Sequence, residues 1–233
     1  MANLFSWERL FINFPKLLVT LPVTIEIVLV TYMFGVFFAL FFAYIRIKKL
    51  LVINNILAVF VSFERDTPLL VQMLICYFGI PLVIENFIDV DTREWSRVVF
   101  VIIAYTANVS AFLSEVFRGA ILSIPKGQTE AALACGISGV QTFLRIVLPQ
   151  AFIIALPNMW TFLISLFKST SLIYMIGVVD IIGRAQAIGS ATSHSLESYI
   201  IVAFIFIVFS ILLQLPYSFI ERKLSFQNRR RKI

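Results

Sequence analysis

Three places within or bordering the apolar runs of this sequence hold charged or amide side chains whose types and spacing could do chemistry. The first is "FERDTPLLVQ", Phe63 to Gln72. Thr67 can cap a helix beginning at Pro68, and the first turn of such a helix carries partial positive charge on its unpaired amides. Arg65 beside it offers two parallel N–H donors to a carboxylate, while Asp66 adds a negative charge that could meet an ammonium group. The plainer reading is that Glu64, Arg65 and Asp66 neutralise one another around a helix break. The second place holds Asn108 and Glu115, seven residues apart and so on one helical face, with Ala111 between them leaving room. Ala104, Ala107, Ala111 and Ser114 also make a small-residue seam at which two helix backbones could approach closely. The third is Lys168, followed by Ser169 and Thr170, which could cap another short helix. Glu26 stands apart and stays unassigned.

Bond-breaking chemistry finds no comparable set. A single histidine, His194, and two separated cysteines, Cys76 and Cys135, supply neither a metal cluster nor a nucleophile–base pair, and they give no disulfide framework. A phosphate-binding loop needs glycines at fixed positions ahead of Lys and Ser or Thr. The nearest approach is Lys168-Ser169, where those positions hold Phe162 and Phe167.

The elements that must position these groups are set by the solvent. The chain has 233 residues, 60% of them hydrophobic, with a mean hydropathy of +0.96, which is more apolar surface than a water-soluble domain of that size can hide. About 20 apolar helical residues cross a hydrocarbon layer, and five stretches qualify: 17–44, 52–78 with its polar interruption, 98–117, 147–167 and 198–219. The first is longer than a signal peptide's apolar core and has no small-residue cleavage site after it, so it reads as a retained span. No internal repeat or long low-complexity segment breaks the chain, and one membrane domain over 1–233 is expected.

Five spans put the termini on opposite faces, and basic residues decide which. With the C-terminus inside, the inner segments hold twelve of the nineteen Lys and Arg and the outer segments six, with Arg65 inside a span. The expectation is an N-terminus outside and a cytoplasmic C-terminus. The same count explains the net charge of +6 without a nucleic-acid partner. The terminal "RRRK" reads first as a topology anchor, with a grip on anionic membrane lipid as its other use.

Between the third and fourth spans lies "EAALACGISGVQTFLRIVLPQA", Glu130 to Ala151. Pro125 suits a first helical turn, Glu130 to Cys135 is rich in helix formers, and Gly136 can take the left-handed conformation that ends a helix. Ser138 offers an N-cap for a second helix leading into the fourth span, and Pro149 bends or resets that entry. The alanines leave a surface with little bulk, suited to lying close inside another protein's groove, and Glu130 supplies a charge there; the plainer reading is a loop packed on the inner span ends.

Glu130-Ala131-Ala132, then Gly136, then Ile146, Leu148 and Pro149, resemble the signature loop of permease subunits in bacterial ATP-binding-cassette importers. "RDTPLLVQMLICYFGIP", "SEVFRGAILSIPKGQTEAA" and "FKSTSLIYMIGV" resemble the branch that takes up polar amino acids. The likeness covers nearly the whole chain. It implies an all-α type I importer permease fold of five transmembrane helices in the cell membrane. It also implies that the loop at about 124–146 forms coupling helices, with Glu130, Ala131, Ala132 and Gly136 docking on a cytoplasmic ATPase. ATP and Mg would then be bound by two partner subunits and no cofactor by this chain. A second permease copy, identical or not, and an extracytoplasmic amino-acid-binding protein complete the implied assembly; the acidic run Glu85, Asp89, Asp91 and Glu94 could receive the latter, although a solvated loop would look the same.

On that footing the pathway residues are Arg65, Asp66, Thr67, Asn108, Glu115 and Lys168. Lys168 falls in a stretch resembling the family's Lys-x-Thr-Ser-Leu motif, which implies a gate or a brace. Asp66 stands where the family usually has glycine, and this departure is the reason for favouring cystine or a basic amino acid, substrates with two amino groups. The rival is an ion-coupled secondary transporter, which could also use a broken helix and buried carboxylates but would need no docking loop.

Overall fold

The computed structural model describes residues 5–88, 90–92, 94–192 and 194–230, with side chains left aside at 51 and 222–230. Among them there are ten α-helices and no strand: α1 (Trp7–Leu18), α2 (Leu21–Lys48), α3 (Leu51–Asp66), α4 (Leu69–Phe87), α5 (Arg97–Leu122), α6 (Lys126–Ala134), α7 (Gly139–Thr142), α8 (Leu148–Ser169), α9 (Ile181–Thr192) and α10 (Ser195–Arg230). A π-helical turn (Phe143–Val147) joins α7 to α8, and a 3-10 segment (Thr170–Ile176) follows α8.

Five apolar helical stretches are long enough to cross a membrane: Leu21–Lys48, Leu69–Phe87, Arg97–Leu122, Gly139–Ile176 and Ser195–Glu221. The number matches the expectation, and two of the expected runs are divided. The first apolar run is divided, because the chain turns at Val19 and Thr20 and leaves α1 as a separate helix with Trp7 and Phe11 exposed. The expected second span, 52–78, holds its polar interruption as a helix break at Thr67–Pro68 between α3 and α4. Pro68 restricts Thr67 to extended backbone, φ −109° and ψ 145°, so α3 cannot run on.

α5 buries 56% of its 18-residue apolar stretch, against 11% for α4 and 28% for α2 and α10. Protein therefore surrounds α5, while the other spans leave apolar faces to lipid or to another chain. Met33 and Phe37 on α2, 72% and 66% exposed, are examples.

Residue contacts gather into two compact units. The first comprises Met1–Thr31, Leu69–Tyr105 and Leu163–Pro216. Its core holds Leu17, Met73, Val101, Tyr105, Phe167, Ile173, Ile181 and Ile201, all essentially buried. Phe167 lies 5.0 Å from Phe206 and stacks on Phe209 at 5.5 Å. Buried polar groups in this unit are tied to backbone: the Tyr105 hydroxyl donates to Ser169 O at 2.7 Å, and the Glu197 carboxylate accepts from Ser6 N–H at 2.9 Å. Asp180 caps α9 by accepting from Gly183 N–H at 2.8 Å. Burial pushes its carboxyl above the ordinary range, against the pull of the Gly183 and Ile182 amides.

The second unit comprises Tyr32–Pro68, Thr106–Phe162 and Tyr217–Ile233. Here α2 and α5 meet at Gly35, where an added Cβ would overlap Val109; only glycine allows this approach. The Tyr32 hydroxyl donates to Met159 O at 2.8 Å, tying α2 to α8, and Trp160 stacks on Tyr217 at 6.0 Å.

Candidate functional site

The segment from Pro125 to Gln150 folds much as its local signals dictate. Pro125 precedes α6 as its N-cap residue, and Gly136 sits at φ +80° just beyond the helix end, a conformation that disfavours any side chain. Ser138 Oγ accepts from Gln141 N–H at 3.3 Å and so caps α7. Pro149 has no N–H to offer Arg145 O, and the hydrogen-bond ladder slips by one residue just ahead of it: Leu148 N–H reaches back to Phe143 O, making the π-turn. The Gln150 side-chain amide then donates to Gln128 Oε1 at 2.7 Å and to Ile146 O at 2.8 Å, fixing α6 against the start of α8. This brace spans 22 residues, and no local pattern announces it.

The four docking candidates in α6 and just after it divide. Ala132 is 6% exposed and faces the unit's interior, whereas Glu130, Ala131 and Gly136 are exposed. Leu133, three residues on from Glu130 in α6, and Val140 in α7 are also exposed, at 49% and 70%.

The membrane-level charges fall into two clusters, both in the second unit. At the α3–α4 break, Thr67 Oγ1 donates to Phe63 O at 2.7 Å. Glu64 turns inward, 5% exposed, and Asn108 Nδ2 donates to its backbone O at 3.4 Å. Arg65 and Asp66 turn outward and are exposed. The Arg65 guanidinium lies 5.8 Å from the centroid of Phe112, which itself packs on Phe162 at 5.3 Å; an aromatic platform therefore orients the cation. Arg65 and Asn108 are brought together here through α3, a relation the sequence did not show.

Glu115 belongs to the other cluster. One oxygen pairs with Arg46 of α2 and the second accepts two bonds from Arg118, at 2.7 and 3.1 Å. The Arg46 and Glu115 side chains are each 18% exposed. Glu115 shares a helical face with Asn108 as expected, but its oxygens are taken up by arginines, and Arg46 was counted in the sequence only as a topology charge. Ala111 and Ser114 are fully buried, in keeping with the small-residue seam.

Lys168 lies in the first unit, near the end of α8. It is exposed and lines a cavity of about 500 Å³ whose other walls are mostly apolar, among them Val202, Phe206 and Ile207, with hydroxyls from Ser171, Tyr199 and Ser210. Ser169 and Thr170 cap nothing by side chain there; their hydroxyls donate back to Leu166 O and Phe167 O, both at 2.8 Å. Glu85 of the acidic run accepts from the Thr92 hydroxyl at 2.8 Å, while Asp89 and Arg93 lie outside the described residues, as do the side chains of the basic tail. No group of His, Cys, Asp and Glu among the described residues could hold a metal ion.

Comparison with known proteins gives a consistent answer. The family described as "Binding-protein-dependent transport system inner membrane component" matches residues 14–226. The L-cystine transport system permease protein TcyL of Bacillus subtilis (strain 168) is 38% identical over 210 residues, covering 90% of this chain and 87% of the relative. The arginine transport system permease protein ArtQ of the same organism is 34% identical over 210 residues, covering 90% and 93%. Among solved structures, one described as an amino acid ABC transporter with histidines superposes with a TM-score of 0.82 at 26% identity, over 94% of this chain and 99% of that one.

Proposed function

Because the chain belongs to the family of binding-protein-dependent transport system inner membrane components, a multi-pass permease of an ATP-binding-cassette amino-acid importer, we propose that it couples a membrane pathway to a separate cytoplasmic ATPase through α6 and α7. The carrying observation is the construction of that segment. Two short helices are set at a fixed angle by Gly136 at φ +80° and the Ser138 cap, and they leave Glu130, Ala131 and Gly136 exposed. A rigid, low-bulk surface of this kind transmits a push; a floppy loop would absorb it.

In this reading the 233 residues act as one transmembrane permease domain, with the N-terminus outside and α6–α7 in the cytoplasm. ATP and Mg bind two partner ATPases, which supply the energy of hydrolysis. This chain contributes Glu130, Ala131 and Gly136 as the docking surface, with the buried Ala132 packing α6 beneath it; the surface follows the ATPases as they close and open, and the helices move with it as rigid bodies between inward-facing and outward-facing states. A second permease copy related by a pseudo-two-fold axis shares the pathway, and an extracytoplasmic binding protein delivers the substrate.

The pathway residues proposed are Arg65, Asp66, Thr67, Asn108 and Lys168, while Glu115, expected among them, has its oxygens held by Arg46 and Arg118 and braces α2 on α5. Arg65, held on Phe112, suits a substrate carboxylate, and the exposed Asp66 suits an ammonium. That favours cystine or a basic amino acid, in accord with relatives named for L-cystine and arginine transport.

The test is co-purification from the native host in mild detergent, with bound proteins identified by mass spectrometry and the experiment repeated on Glu130→Lys. We expect an ATPase with the parent and its loss from the variant. An ATPase bound equally to both would remove the docking role from Glu130, and none bound to either would overturn the coupling and favour an ion-coupled carrier.

A further inference from the structure

The second unit contains a cavity of about 810 Å³ that neither the proposed pathway nor the docking surface uses. Three membrane spans end or begin on its walls: α2 at Lys48, α5 at Leu122 and the Gly139–Ile176 span at Gly139. It therefore lies at the boundary between hydrocarbon and water, where lipid headgroups sit.

Its lining has two parts. Lys48 and Lys126 bring two ammonium groups, with hydroxyls from Thr129, Ser138 and Thr142, and no Asp or Glu is among the lining residues. Ile47, Ile121, Ile124 and Val147 make the remainder apolar. The decisive observation is Thr142: it is 1% exposed, it lines the cavity, and its Oγ1 has no hydrogen-bond partner. A buried hydroxyl without a partner is costly to keep, and here it adjoins a space whose charge calls for an anion.

We infer that this cavity binds the headgroup of an anionic phospholipid. The phosphate lies between Lys48 and Lys126 and accepts from the Thr142 hydroxyl, and the first carbons of an acyl chain run along the isoleucine wall. Free phosphate would satisfy the same cations but would leave the apolar wall uncovered, and a zwitterionic lipid would bring its own cation to two lysines. The cavity shares α6 and α7 with the ATPase-docking reading but none of the docking residues Glu130, Ala131 and Gly136, so lipid retention and ATPase binding can be lost separately.

The test uses the full chain, with any subunits that co-purify, in a non-ionic detergent. It is titrated with mixed micelles of dioleoylphosphatidylglycerol or dioleoylphosphatidylcholine, and bound lipid is counted by native mass spectrometry. We expect retention of phosphatidylglycerol over phosphatidylcholine, a loss of affinity of about thirty-fold in Lys48→Gln/Lys126→Gln, and a loss of about five-fold in Thr142→Val. Lys48→Arg/Lys126→Arg should bind as the parent does, and excess inorganic phosphate should displace nothing. Thr142→Val removes an unpaired hydroxyl without changing shape, so its fold persists and its binding loss reports on the ligand alone. Equal retention of the two lipids, parental binding by both the glutamine double variant and Thr142→Val, or displacement by inorganic phosphate would each overturn the inference.

Discussion

The two charged clusters of the second unit are built from the same residue types and come to opposite ends. Around Glu115, both carboxylate oxygens are taken by Arg46 and Arg118, and the Arg46–Glu115 pair is largely withdrawn from solvent. At the α3–α4 break, Glu64 is buried while Arg65 and Asp66 stay exposed, with Arg65 set on the face of Phe112. A charge placed in an apolar chain must be matched somewhere. The first cluster is matched from within the protein and therefore fastens α2 to α5; the second presents its charges outward, where a ligand can meet them.

The sharpest way to break that contrast is Glu115→Ala. It strands two partly buried guanidinium groups close together, and loss of one member of such a pair costs on the order of 3 kcal/mol. We expect a large fall in the thermal midpoint of the purified protein and low yield, with Glu115→Gln intermediate. A variant that keeps its midpoint but loses uptake would move Glu115 into the same class as Arg65.

Gly35→Ala should produce a milder form of the same defect. Its Cβ would overlap Val109, forcing α2 away from α5 in the unit where Arg46 must meet Glu115, at a cost of about 2 kcal/mol. The midpoint should fall by less than in Glu115→Ala, and combining the two should give less than the sum of the separate losses, because both act on one helix contact. Strict additivity would show that the glycine approach and the ion pair are independent.

What could be read from the sequence follows the distance over which each feature is decided. Pro125, Gly136, Ser138 and Pro149 act within a turn of themselves, and the helix ends, the cap and the disturbed entry to α8 all stand where those residues indicate. The five apolar runs were legible because lipid imposes length and composition on each separately. The separation of α1 was not, since Val19 and Thr20 lie inside continuous apolar sequence. The break at Pro68 was legible, because proline holds the residue before it in extended backbone. The Arg46–Glu115 pair and the Gly35–Val109 contact join residues more than sixty positions apart. They depend on how α2 docks against α5, which no local pattern encodes.

The smallest expected effect on stability is also the most informative about function. Asp66 is exposed at the end of α3, so Asp66→Gly should leave the stability within about 0.5 kcal/mol of the parent, as substitutions at such sites usually do. If its carboxylate meets a second ammonium on the substrate, removing it forfeits a screened Coulomb attraction of roughly 1 kcal/mol, a factor of about five. The expected result in reconstituted uptake is therefore a fall of that size for cystine and arginine relative to a substrate with one amino group, such as glutamine, while Arg65→Ala weakens all three alike because each carries a carboxylate. Unchanged ratios in Asp66→Gly would mean that the acidic residue at the break only balances its neighbours, and the two clusters would then differ in exposure but not in purpose.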